Sequence, residues 1–194
     1  MKRMFIAITC LCLLALSGVS HAGTYTYDGQ YLRVGISNSG GLIDDGFVVG
    51  IDYDKTGTST WTGFDFLKPG TPFEFYSIGV NGAWQAAGYD SGNNFGATTT
   101  DTSAGSVFSA MTTFAYGDLT GVQTMSFASG AGTISFNVVL TNSGSTALDV
   151  VYARGLYPDQ DVYAGGGYPT TNTIVNPDLV TGSAPITDWT IGIF

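Results

Sequence analysis

The chain has 194 residues, a formal net charge of −9, two cysteines and one histidine. Cys10, Cys12 and His21 all fall within the first 22 residues, which read as a secretory leader, so the 172 that remain carry neither residue type. That excludes disulfides, thiol nucleophiles, zinc sites built on imidazole or thiolate, and Ser-His-Asp triads from the mature chain.

The leader is tripartite. Lys2 and Arg3 supply the charged start, Phe5 to Leu16 the apolar core, and Ser20-His21-Ala22 the small-x-small cleavage pattern. The expected mature protein starts at Gly23 and is secreted or displayed on the cell surface, with the periplasm as the other destination. The apolar run is too short to span a bilayer, and no second run of spanning length follows, so no transmembrane helix is expected in the mature chain. Loss of the leader leaves four cations (Arg33, Lys55, Lys68, Arg154) against fifteen acids, a net charge of −11. Nucleic acid and anionic membranes are therefore excluded as partners of a basic patch. Residues 23–194 are expected to form one domain, long enough to bury roughly 70% of its unfolded surface.

In chain order, Thr24–Asp28 and Gln30–Asn38 read as the first strands, with Leu32, Val34 and Ile36 sharing a face. Gly46–Tyr53 follows, with Phe47, Val49, Ile51 and Tyr53 in phase. Asp54 to Gly70 is rich in turns, with Trp61, Phe64, Phe66 and Leu67 expected to tuck beneath it. Pro72–Val80 and Ala83–Tyr89 form a hairpin closed by Asn81-Gly82, a two-residue turn with positive φ at both positions. That register sets Trp84 opposite Gly79, where the ring can cover backbone. Asp90–Gly105 reads as a long polar loop with one short edge strand at Gly96–Thr100.

Ser106 to Asp161 then reads as four consecutive antiparallel strands sharing one apolar face. Phe108, Ala110, Phe114 and Tyr116 begin it, and Met125 and Phe127 fall on the same face as Ile134 and Phe136. The last two strands, Thr133–Thr141 and Ala147–Arg154, are expected to pair as a hairpin with Leu140 opposite Leu148, Val138 opposite Val150 and Phe136 opposite Tyr152. Arg154 falls on the apolar face and needs a partner, with Asp159 and Asp161 nearest in sequence. Asp188–Phe194 reads as a strand, either closing the domain or standing at the front of a longer protein.

Asp52-Tyr53-Asp54-Lys55-Thr56-Gly57 has the alternate-oxygen spacing of the first half of a calcium loop, without the bidentate Glu of the second half. Asp52 and Asp54, with Asp159 and Asp161 of Pro158-Asp159-Gln160-Asp161, are the candidate calcium ligands. The alternative is a pair of ordinary acidic turns. A glycosidase needs two facing carboxylates, and no spacing here selects a pair around Glu74.

Phe136-Asn137-Val138-Val139-Leu140-Thr141-Asn142-Ser143-Gly144-Ser145, running on through Val150-Val151-Tyr152, resembles the LTNxGS hairpin of bacterial surface proteins. The resemblance implies an Ig-like module or a larger antiparallel supersandwich like that of galactose-mutarotase-like domains. Mutarotase activity relies on histidines, which the mature chain lacks. The expectation is an all-β fold, a single large antiparallel β-sandwich of about a dozen strands preceded by a signal-peptide helix. The first functional reading is a secreted or cell-surface structural or adhesive domain, leaning away from catalysis, with calcium as candidate stabiliser and glycans or surface proteins as partners. The alternatives are a carbohydrate-binding module or carbohydrate-active enzyme, and a small outer-membrane β-barrel.

Overall fold

The computed structural model describes residues 23–61, 65–68, 73–88, 92–93 and 95–194. The expected signal-peptide helix and Phe64 thus lie outside the described residues. The strands are β1 (Tyr25–Asp28), β2 (Leu32–Ile36), β3 (Ile51–Tyr53), β4 (Phe73–Val80), β5 (Ala83–Gly88), β6 (Gly92–Asn93) and β7 (Thr98–Asp101). They continue as β8 (Val107–Tyr116), β9 (Leu119–Ala128), β10 (Ser135–Asn142), β11 (Val150–Tyr157), β12 (Thr171–Asn176), β13 (Leu179–Ser183) and β14 (Thr190–Ile193). A short 3-10 turn, Gln160–Ala164, is the one described helical segment.

These strands form four open antiparallel sheets, in spatial orders β1-β2-β3, β10-β9-β8-β7, β11-β4-β5-β6 and β12-β13-β14. None closes into a barrel. The two four-stranded sheets face one another in a sandwich-like arrangement. Tyr76 and Ile78 of β4 and Ala87 of β5 meet Phe114 of β8 and Leu119 of β9 in one buried cluster. A second cluster seats Tyr27, Leu32, Val34, Ile36 and Ile51 of the first sheet on Ala110, Met125 and Phe127. Phe66 and Leu67 are buried as expected, and Phe66 lies 5.6 Å from Trp189 between ring centroids.

The β4–β5 hairpin has the expected register, with Gly79 opposite Trp84, and the turn residues Asn81 and Gly82 have φ of 50° and 84°. The β8–β9–β10 meander also pairs as its phase required, with Phe108 opposite Phe127 and Phe136 opposite Met125.

The expected hairpin between the last two strands does not form. β10 pairs with β9, whereas β11 leaves that sheet and pairs with β4, placing Tyr152 opposite Ile78 and Val150 opposite Val80. Leu140, Leu148, Val150 and Tyr152 still meet, but across the interior rather than within one sheet. Alternation records which residues point inward and is the same for either arrangement. Phe136 and Val138 are consequently only half-buried on an edge strand. The strand expected over Gly46–Tyr53 is also shorter. Phe47 turns into positive φ at 55°, Val48 is 59% exposed, and only Ile51–Tyr53 joins the sheet.

Gly35 marks the tightest crossing in the first sheet. A side chain there would collide with the Val49 carbonyl and approach the Asp44 amide nitrogen at 2.9 Å. Its own amide donates to Gly50 over 2.8 Å, so neither backbone can retreat cheaply. Gly35→Ala is expected to lose at least the upper end of the roughly 1–3 kcal/mol typical of overpacking. Gly132→Ala, with nothing within 4 Å of the added carbon, is the control and should change stability by less than about 0.5 kcal/mol. Urea unfolding of both variants measures the contrast.

Candidate functional site

Parity along β4 and β11 turns Glu74 and Arg154 inward, and the register sets Glu74 opposite Leu156 and Arg154 opposite Tyr76. The two charges are therefore diagonal neighbours. Arg154 Nη2 lies 2.5 Å from Glu74 Oε1, with the two side chains 10% and 1% exposed. This corrects the sequence expectation: the partner of Arg154 is Glu74 and not Asp159 or Asp161. The nearest acids along the chain were the wrong guide, because strand pairing brings β4 alongside β11.

A network surrounds the pair. Arg154 Nη1 and the Tyr152 hydroxyl both donate to Gln123 Oε1, over 3.0 and 2.8 Å. Gln123 Nε2 donates to the Gly40 carbonyl, and the Leu42 amide donates to Glu74 Oε2. The guanidinium carbon sits 3.6 Å from the centroid of the Phe136 ring, a cation–π contact. Burial pushes the Glu74 carboxyl up, while Arg154 and the Leu42 amide pull against it. Gln123 was legible in principle, since it falls in phase with the buried Leu119, Met125 and Phe127.

The four candidate calcium ligands do not converge on one point. Asp54 accepts from the amides of Thr56, Thr58 and Thr60 and from the hydroxyls of Thr56 and Thr58. The Thr56 hydroxyl leads these donors in holding its carboxyl well below the usual range. Asp52, its neighbour, is buried and bridges to Asp65 across the strand edge. Burial first, then the Asp65 charge, pushes its carboxyl up to about 6. Asp161 accepts from the Ile186 and Thr187 amides and the Thr187 hydroxyl, which outweigh burial and lower it. Asp159 is buried, its Oδ1 has no hydrogen-bond partner among the described residues, and burial pushes it up to about 6. No group of three or more His, Cys, Asp or Glu side chains among the described residues converges as a metal centre would.

Asp159 therefore makes a pH prediction. Its folded value of about 6 lies above an unfolded value of about 3.9, so the native state binds the extra proton between those limits. Its contribution to stability is fully present below the unfolded value and is lost as pH rises through about 6. Asp159→Asn removes the charge, so its gain over the native chain should grow across that window and level off above about pH 7. About 1–3 kcal/mol at pH 7.5, and little at pH 4, is the expected gain in urea unfolding.

Two surfaces among the described residues are mainly apolar and uncharged. The first is the outer face of the sheet β11-β4-β5-β6. Trp84 of β5 lies over Gly79 of β4, its ring 2.9–3.1 Å from where a Gly79 side chain would start. Phe75 of β4 lies over Gly155 of β11 in the same way, at 2.9 Å. Ala86, Ser77 and Ala153 make a floor of small side chains between the two rings. Trp84, Val151 and Tyr157 are about half exposed, and no charged residue points outward from these rows.

The second surface is a cleft of about 800 Å³. Leu32, Leu42, Ile51 and Phe66 line it from one side, and Phe136, Val138, Leu156, Ile191 and Ile193 from the strands around it. Tyr53, Thr133, Ser135, Tyr152 and Thr190 add polar groups to it, and Arg154, its one charged residue among those described, is paired with Glu74. No protein-family model, no curated protein and no solved structure matches the chain.

Proposed function

We propose that the chain is an exported, non-catalytic surface domain that attaches to neutral polysaccharide through the outer face of the sheet β11-β4-β5-β6. The observation that carries this reading is the half-exposed Trp84 ring, laid over the Gly79 backbone on an uncharged face. Sugar rings present C–H faces, and an aromatic ring offers its π face to them with polar hydroxyls left at the edge. Net charge −9 disfavours anionic glycans.

Five of the seven buried carboxylates among the described residues are held by fixed donors, which supports a binding role over a catalytic one; Asp52 and Asp159, both pushed up to about 6, are the exceptions. Glu74 is locked to Arg154, and Asp44, Asp54, Asp65 and Asp161 accept amide protons. Retention on insoluble cellulose, chitin and xylan is the test, alongside assays for released reducing ends and unsaturated products. Retention on at least one of these without product release, weakened tenfold or more by Trp84→Ala and less by Trp84→Tyr, is the expected result. No retention on any of the three, or retention indifferent to Trp84→Ala in a folded variant, would discard the reading. Export is tested by sequencing the amino terminus of released protein, expected at Gly23.

Calcium is tested by melting in excess calcium and in chelator. A rise that Asp52→Asn with Asp54→Asn removes supports a cation at that turn. Equal melting temperatures assign the order of the turn to its amide donors alone.

A further inference from the structure

Strands β10, β11 and β14 each end a sheet: among the described residues β10 pairs only with β9, β11 only with β4 and β14 only with β13. All three open on the same apolar cleft of about 800 Å³. An edge strand presents a row of backbone N–H and C=O groups on its unpaired side. Here the edge strands carry Phe136, Val138, Leu156 and Ile191, whose residues line the cleft, so a free backbone edge and an apolar surface lie side by side.

We infer that the cleft accepts an extended β-strand from another polypeptide, paired to the free edge of β10. The chemistry selects that occupant over a compact apolar molecule. A small hydrophobe would fill the volume and leave the backbone rows unmet. An extended segment supplies alternate N–H and C=O groups to the edge and alternate apolar side chains to the cleft. A strand paired to that edge would lie about 4.8 Å from β10. The chain's net charge of −9 favours a segment that is neutral or basic. This site lies apart from the glycan-binding face, and Trp84 does not line it.

The test uses the whole folded chain and a synthetic eight-residue peptide alternating valine and threonine, flanked by lysines. A peptide of the same composition interrupted by two prolines is the control. Amide hydrogen exchange across β10 is the readout. The expected result is at least tenfold slowing in Phe136 to Leu140 with the alternating peptide and none with the control. Val138→Lys, placed in the cleft, should weaken binding tenfold or more. Val139→Lys, on the opposite face of the same strand, should leave it unchanged, and a shared melting temperature confirms that both variants fold. Protection of other strands only, equal protection by the proline control or by a fatty acid, or concentration-dependent protection without peptide would overturn the assignment. The last of these would identify a second copy as the occupant.

Discussion

Arg154→Ala is expected to lose about 3–5 kcal/mol, the range for breaking one side of a buried ion pair. Removal of the guanidinium leaves the Glu74 carboxylate 1% exposed, with the Leu42 amide as its remaining donor. It also takes one of two donors from Gln123 Oε1 and the cation from above Phe136. The loss should depend on pH with a definite sign. Without Arg154 the folded Glu74 value rises further above the unfolded one, so the deficit is smallest in acid and grows as pH rises. Glu74→Leu combined with Arg154→Leu should be less damaging than Arg154→Ala alone, because no unpaired charge remains buried. Urea unfolding at pH 4.5 and 7.5 checks both statements. A deficit below about 1 kcal/mol at pH 7.5 would mean that water reaches the pair.

Asp65→Ala is expected to have the next largest effect, about 2–4 kcal/mol. Its two oxygens accept from Gly50 and Ile51 over 2.6 and 3.1 Å, and from Leu67 and Lys68 over 2.8 and 2.9 Å. One carboxylate thus ties the edge of β3 to the turn that carries Phe66 and Leu67 into the core. Each buried donor left without a partner costs about 1–3 kcal/mol, and Gly50 and Ile51 are both buried. Asp65→Asn keeps one acceptor oxygen and should lose about half as much. A second readout separates this from general damage: with the Asp65 charge gone, Asp52 should titrate lower than about 6 when followed by NMR. Equal stability of the Ala and Asn variants, with Asp52 unmoved, would refute the bracing role.

The candidate surfaces were legible to different degrees. Trp84 over Gly79 follows from the Asn81-Gly82 turn alone, because a two-residue turn leaves one register. Phe75 over Gly155 does not, since it requires β11 to lie beside β4 across about eighty residues of chain. The cleft was not legible either, because it is bordered by strands belonging to different sheets. The acidic turns were found by their spacing, yet spacing is silent on donors, and Asp54 and Asp161 turned out to be ringed by amides. Asp65 carries no local signal in the sequence, because its role depends on Gly50 and Ile51, fifteen and fourteen residues earlier.

By itself the sequence determined the all-β class, the inward and outward faces of β8, β9, β10 and β11, and the lack of thiol and imidazole side chains after residue 22. Each of these depends on residue type or on a period of two, which are local properties. Only the tertiary structure decided that β10 and β11 part into facing sheets, that Glu74 answers Arg154, and that edge strands of three sheets meet on one apolar cleft. A strand's alternation states that one face is buried. Which strand lies alongside it is settled by the closure of long loops and the joint packing of the whole interior.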